Sequence, residues 1–352
     1  SATMSIMTVF VTFGIGYYLS KSYDVEGIFG GAVSFSSFLL LTPFYTMSEK
    51  GEKISGVLSL DRLGAKGMFL GMLVAFLAAE IYCWATKKGW QIKMPDSVPP
   101  AVAKSFAALI PAVLTLSIFL FVNAGLTGFF NANLHDIIYK VIQTPLVGLG
   151  SSIWATLVAI FFVQFLWFFG LHGQILVNSV MDPIWNTLML DNLEAYQAGK
   201  HLPHIISKSF METFTVGLGG SGMTLAVVII MAFILKKKMY KDVGRLALGA
   251  GLFNVNEPVI FGLPIVLNAT ILIPWVLAPI VVTAFNYTVM AVGIVPAPTG
   301  VAVPWTVPVF FSGMLATNSI LGGVLQLVDM VIVGLIWYPF LRMLDKQPDS
   351  VL

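Results

Sequence analysis

The sequence predicts an all-α, polytopic membrane helix bundle with two re-entrant hairpins. Three observations carry that reading. Of 352 residues, 57% are hydrophobic and only 10% charged. Soluble domains carry about a quarter charged residues, so this chain cannot cover a water-facing surface. Apolar runs of helical length recur along it, each near the roughly 20 residues that cross a hydrocarbon core. Two further apolar stretches are interrupted by glycine, proline and polar residues. The alternating segments of about 10 residues that mark a membrane β-barrel are not seen.

Taken in order, spans are expected near 2–20, 27–48, 67–86, 105–128, 145–170, 222–235, 270–295 and 320–341. The chain opens at Ser1 and enters an apolar run almost at once, without a positive segment or cleavage pattern. No signal peptide is expected, and the missing initiator methionine predicts that an N-terminal part is absent. The single cysteine, Cys83, lies inside a span. It allows no intrachain disulfide and no CxxC pair, and reads as a packing residue.

Lysines and arginines orient the bundle. Counted by loop on alternating sides, 12 fall on one side, including Lys50, Arg62, Lys66 and Lys140, and 7 on the other. The positive-inside rule makes the richer side cytoplasmic, with the C-terminus inside. Lys236, Lys237 and Lys238 form the densest cationic run. That run reads as a topology anchor, or as a docking surface for an anionic partner.

The interrupted stretches are 172–222 and 246–268. In the second, Gly249, Gly251, Asn254, Asn256, Glu257, Pro258, Gly262 and Pro264 break an apolar run. Proline removes a backbone donor and clashes with the preceding turn, so a continuous helix through Pro258 and Pro264 is not expected. Free backbone groups at membrane depth survive only where protein buries them or a wet cavity solvates them. Paired Gly/Pro-interrupted segments are the usual pointer to a transporter's binding site.

Glu257 is the sharpest candidate. An acid in such a segment costs about 2.5–3.5 kcal/mol on insertion scales and is a functional hypothesis by default. The structural alternative is a carboxylate capping a helix end. Asn254 and Asn256 supply donors and acceptors beside it, as a ligand rich in hydroxyls requires. His172 lies between Leu171 and Gly173, with Gly170 close by, where backbone or ligand can approach closely. Trp305, between Pro304 and Pro308, offers a sugar-stacking face or an interfacial anchor; Trp167 reads first as helix packing.

Several patterns are decoys. Residues 217–222, GLGGSG, match a dinucleotide fingerprint but precede a membrane span, and so predict a tight hairpin exit. No P-loop is present, and His135, His201 and His204 lack the companions of a zinc site. No metal, cofactor or nucleic-acid partner is expected. Asp329, in the last span, is a weak candidate ion ligand.

LWFFGLHG (166–173), SVMDPIW (179–185), GGSGMTL (219–225), NVNEPVIFGLPIVLN (254–268) and VPWTVP (303–308) follow one another in a single order. Together they resemble enzyme IIC, the membrane subunit of the bacterial phosphoenolpyruvate-dependent phosphotransferase system, and best its lactose/cellobiose/diacetylchitobiose branch. The resemblance implies a homodimer in the bacterial cytoplasmic membrane. It implies an N-terminal half, 1–144, that forms the scaffold and dimer interface, and a sugar-carrying half, 145–352. Additional N-terminal helices are normal in the family before the point where this chain begins.

Carried onto this sequence, the resemblance makes Glu257 and His172 the contacts for the hydroxyl that becomes phosphorylated. Trp305 and Trp167 become sugar-stacking residues, and Asn256 and Gln174 readers of hydroxyl positions. The phosphate donor it implies is a phosphocysteine on a separate IIB protein, so no residue of this chain is itself phosphorylated. Diacetylchitobiose or cellobiose is the favoured cargo. One alternative is a proton-coupled sugar symporter relaying a proton through Glu257 and His172. Another is an intramembrane enzyme using that pair as acid and base, for which the sequence offers no nucleophile.

Overall fold

The computed structural model describes residues 6–47, 52–95, 97–130, 132–263 and 265–346; Lys50 and Pro264 lie outside them. The chain divides into two compact units, Ser1–Leu146 and Val147–Leu352.

In the first unit α1 (Met7–Ser22), α2 (Gly27–Leu41), α4 (Met68–Lys87) and α5 (Pro100–Phe130) pack together. Gly16, Gly30, Ser34 and Gly71 lie where α1, α2 and α4 approach. Small residues are what let membrane helices come this close. Phe38, Leu41, Leu70, Val74 and Phe119 form the apolar centre.

The expected span 27–48 is shorter in the structure. Pro43 biases the preceding Thr42 to extended backbone (φ −84°, ψ 124°), and α2 stops at Leu41. The chain continues into a hairpin of β1 (Tyr45–Met47) and β2 (Lys53–Ser55), antiparallel with Thr46 opposite Ile54. Short α3 (Leu60–Leu63) follows before α4, and α6 (Leu134–Ile138) follows α5.

The expected span 145–170 is interrupted: α7 (Thr144–Gly150) ends, and after Ser151 and Ser152 α8 (Ile153–Phe168) begins. The second unit continues with α9 (Gly173–Gln197), α10 (Lys208–Met211), a π-helical turn at Glu212–Val216, α11 (Leu225–Phe233) and α12 (Lys238–Leu252). It ends with α13 (Glu257–Gly262), α14 (Ala269–Ala291), α15 (Phe311–Thr317) and α16 (Ile320–Lys346). α8, α11 and α16 pack on one another or on α14, around Trp275 and Trp337, whose rings meet edge to face at 6.4 Å.

Of the eight expected spans, four are helices long and apolar enough to cross a membrane among the described residues: α4, α5, α14 and α16. A fifth is reached if 134–150 and 153–168 count as one interrupted span. α1, α2 and α11 have 16, 15 and 9 residues. At 1.5 Å per residue, the longest of these reaches about 24 Å, short of a core of about 30 Å.

Both interrupted stretches differ in detail from the sequence expectation. Residues 173–197 form one helix through Pro183, and only beyond it does the chain become irregular. In 246–268, α12 ends at Leu252, and Pro258 stands in the first turn of α13. Proline is tolerated there because a first-turn N–H has no intrahelical acceptor. No helix runs on from α12 through Pro258, as expected, and the residue also opens a new one.

Two ties organise the second unit. The buried Gln326 amide accepts from the Phe310 and Gly313 N–H groups and donates to Thr213 O, fixing the segment before α15 to the π-helical turn. The Asp345 carboxylate, at the end of α16, accepts from the backbone N–H groups of Lys236 and Lys237 at 2.9 and 2.8 Å. Of the cationic run, Lys236 and Lys238 are exposed, while Lys237 is half-buried.

Candidate functional site

The sharp turn between α8 and α9 builds the first wall of the site. Gly170 adopts φ +76°, and His172 caps α9, its Nδ1 accepting from the Ile175 N–H at 3.3 Å. In the neutral ring this leaves Nε2–H as the donor. Gly173 has no alternative here: a Cβ would stand 2.0 Å from Val163 O. The turn lays the His172 ring against Trp167, with centroids 4.4 Å apart.

Residues 217–224 form the second wall. Gly219, Gly220 and Gly222 all have positive φ, and the run turns the chain from the π-helical segment into α11. The third wall is 254–257. Asn254 sits in the left-handed region at φ 63°, and Glu257 opens α13. The fourth is the irregular segment carrying Trp305.

Buried and half-buried amides, one indole and one hydroxyl stitch these walls together. Trp167 Nε1 donates to Ser221 Oγ at 3.1 Å, and Ser221 Oγ donates to Gln174 Oε1 at 3.0 Å. Gln174 Nε2 donates onward to Asn178 Oδ1. Asn256 Nδ2 donates to Ser221 O at 2.6 Å. Asn254 spans two walls: its Oδ1 accepts from Gly219 N–H at 2.8 Å, and its Nδ2 donates to Trp305 O and Val307 O at 2.6 and 3.0 Å.

The walls enclose a cavity of about 390 Å³. Sites for small molecules span about 300–1,000 Å³. All six residues singled out from the sequence, Glu257, His172, Asn256, Gln174, Trp305 and Trp167, line this one cavity. They reach it in different states. Glu257 is exposed, and its carboxylate has no hydrogen-bond or ion-pair partner among the described residues. Trp305 is 47% exposed, whereas Trp167 is 6% exposed and held by its indole N–H. Gln174 and Asn256 arrive already bonded to the protein's own groups.

Glu212, Ser221 and the backbone at Gly220 also line the cavity and were not expected from the sequence. Glu212 pairs with Lys208 at 2.7 Å, and Lys208 pairs equally closely with Asp182 on α9. A sequence signal existed: Glu212 is an ionisable residue in an apolar region, with a lysine four residues before it. Cys83 lies outside this unit, buried and free, with its thiol on Ser20 Oγ at 3.4 Å.

The family model for "Phosphotransferase system, EIIC" matches residues 1–279. The chain belongs to the phosphotransferase EIIC family. The oligo-beta-mannoside-specific EIIC component of Bacillus subtilis (strain 168) is 63% identical to it over 98% of this chain and 78% of its own length. The cellobiose-specific EIIC component of Geobacillus stearothermophilus is 41% identical, with the same coverage of both chains. The crystal structure of the transporter ChbC, the IIC component from an N,N'-diacetylchitobiose-specific phosphotransferase system, superposes with a TM-score of 0.93. That match is 40% identical and covers 98% of this chain and 81% of ChbC. This EIIC is therefore a multi-pass membrane sugar permease of the β-glycoside type, a component that acts with a sugar and a IIB component.

Proposed function

We propose that this EIIC binds a β-linked oligosaccharide in the 390 Å³ cavity and carries it into the cytoplasm, coupled to phosphorylation by a separate IIB protein. The observation that carries the reading is the unpaired Glu257 carboxylate, in a cavity whose other carboxylate, Glu212, is paired with Lys208, and whose remaining polar lining includes amides, an imidazole and two indoles. A carboxylate with free lone pairs accepts a hydrogen bond from a sugar hydroxyl, and an exposed indole face packs on the C–H face of a pyranose. In the transfer, the hydroxyl oxygen attacks phosphorus, the P–S bond of the IIB phosphocysteine breaks, and the thiolate leaves. Glu257 takes the hydroxyl proton and later returns it to water. The same reading gives the Nε2–H of His172, which lines the same cavity, the part of donor to that hydroxyl oxygen.

Among cargoes, the 63% identity to an oligo-β-mannoside component moves the preference from diacetylchitobiose or cellobiose to a β-mannoside. The wider assignments belong to the same reading: a homodimer in the bacterial cytoplasmic membrane, the first unit as its scaffold and dimer interface, and the second carrying sugar. The segments 172–222 and 246–268 re-enter the bilayer around the site. Proton-coupled symport through Glu257 and His172 is not favoured, because family membership supplies phosphate as the energy source.

The test is Glu257→Gln in proteoliposomes supplied with phosphorylated IIB. Sugar phosphorylation should fall at least 100-fold, the usual scale of a lost general base, while thermal unfolding is unchanged. Unaltered phosphorylation would remove Glu257 from the mechanism. Accumulation of unmodified sugar driven by a pH gradient alone would replace the proposal with symport. A binding panel of mannobiose, cellobiose and diacetylchitobiose ranks the cargoes.

A further inference from the structure

Beside the sugar cavity lies a much smaller one, of about 10 Å³. Gln174, Val216 and Ser221 line both, so the two share a wall. Packed helices supply much of the rest of the small cavity: α8 contributes Gln164, and α9 contributes Asn178 and Trp185. Thr215, from the π-helical turn, adds a hydroxyl. Such turns inside or between helices recur at functional sites.

Two of its lining side chains are buried with a polar group unpaired. Trp185 is 1% exposed, and its indole N–H has no acceptor among the described residues. Gln164 is 4% exposed, and its Oε1 has no donor among them. An unpaired buried group costs about 1–3 kcal/mol, and native folds rarely leave one so. One of these two is a donor and the other an acceptor. A cation would meet the indole N–H, an anion would meet the Gln164 oxygen, and an apolar group would leave both unpaired. A water molecule answers both; it needs about 10–15 Å³ of such space and two to four polar partners.

We propose that this cavity binds one structural water, which extends the hydrogen-bond chain of the sugar site into α8. That chain runs in a single direction: Trp167 donates to Ser221, Ser221 to Gln174, and Gln174 to Asn178. Asn178 accepts with its oxygen, so its amide N–H groups are the next donors. Thr215 Oγ1 donates to Met211 O and keeps its lone pairs for an incoming donor. The water accepts from Asn178 and Trp185 and donates to Gln164 and Thr215, its full tetrahedral complement. The indole of Trp167, which borders the sugar cavity, is thereby held from outside that cavity. A bridging water is nearly as good as a direct hydrogen bond, and a chain in which every donor is matched is stronger than its links taken singly.

X-ray radiolysis of the purified protein, read by mass spectrometry, tests the water without any sugar. Ionisation turns a bound water into a hydroxyl radical that oxidises the side chains beside it. Met211 lines the cavity and is 4% exposed; Met231, 0% exposed, belongs to the apolar core around Trp275. With a water in place, Met211 should oxidise about tenfold faster than Met231 under X-rays, yet nearly as slowly as Met231 with hydrogen peroxide added from bulk. Equal rates under X-rays overturn the proposal. So does a Met211 rate unchanged in Trp185→Phe/Gln164→Met, where the water loses one donor and one acceptor. Should that variant not fold, near-isosteric Gln164→Met decides by itself. The link to the sugar site rests on the proposed function and is read apart, by calorimetric titration with the preferred disaccharide. Its dissociation constant should rise about threefold in Gln164→Met, the worth of one hydrogen bond between membrane helices; an unchanged constant overturns the link. A wild-type protein that binds no sugar overturns the proposed function, and the radiolysis then decides the water alone.

Discussion

Replacing Asn254 with alanine removes three hydrogen bonds at once, those to Gly219 N–H, Trp305 O and Val307 O. The side chain is 2% exposed, so water does not freely take its place. A net hydrogen bond is worth about 1 kcal/mol in soluble proteins and about 0.6 kcal/mol in membrane helices, giving about 2 to 3 kcal/mol for the set. Alanine must also hold φ 63°, where asparagine is tolerated, at a further cost of about 1 kcal/mol. The total is about 3 to 4 kcal/mol of stability. Sugar affinity should fall as well, because the segment carrying Trp305 loses its tie to the 217–222 turn. Asn254→Gly separates the two effects: it relieves the backbone strain and recovers about 1 kcal/mol, but leaves Trp305 untied and sugar affinity low. Denaturant unfolding in detergent and calorimetric sugar titration read both quantities. A loss of under 1 kcal/mol in Asn254→Ala, with unchanged sugar affinity, would refute this account of the site.

Gly220→Ala should weaken sugar binding at least tenfold. Its Cβ would stand 2.7 Å from Asn254 O at a φ of +82°, so the 254–257 wall must shift; an unchanged dissociation constant in equilibrium titration would show that the walls are not tightly coupled. Asp345→Ala should cost about 1 to 2 kcal/mol, the loss of its hydrogen bonds from two backbone N–H groups, with Asp345→Asn intermediate. Thermal unfolding measures this loss, and sugar affinity should stay at the wild-type value.

How much was legible in the sequence follows from what each residue had to show. Glu257 and His172 were legible because ionisable groups in an apolar run have few structural excuses. Trp167 and Trp305 were legible through their motifs. Pro258 marked a true break, since no helix runs on from α12 through it, but that it also opens α13 depends on the backbone on either side. The hairpin Tyr45–Met47/Lys53–Ser55 was illegible: three-residue strands carry no period to detect. α9 was hidden because Asn178, Asp182, Asp191 and Asn192 lower its apolarity, yet Asp182 is paired with Lys208 and Asn192 donates to Pro298 O. Glu212 was legible in principle, as an acid in an apolar region with Lys208 four residues before it. That Gln174, Asn254 and Asn256 are bonded to their own chain is a fact about distance, which no sequence pattern encodes.

Those three amides, with Ser221, also divide the cavity into two kinds of residue. One kind holds the walls and has few donors or acceptors left to offer. The other, the side chains of Ile175, Val216, Glu212 and Trp305 among them, borders the cavity without bonding to those amides. Change among the second kind alters which cargo is accepted without loosening the frame; change among the first loosens the frame for every cargo. A fold arranged this way can diversify its diet while keeping its skeleton, and relatives with different sugars in their names are what such a division permits.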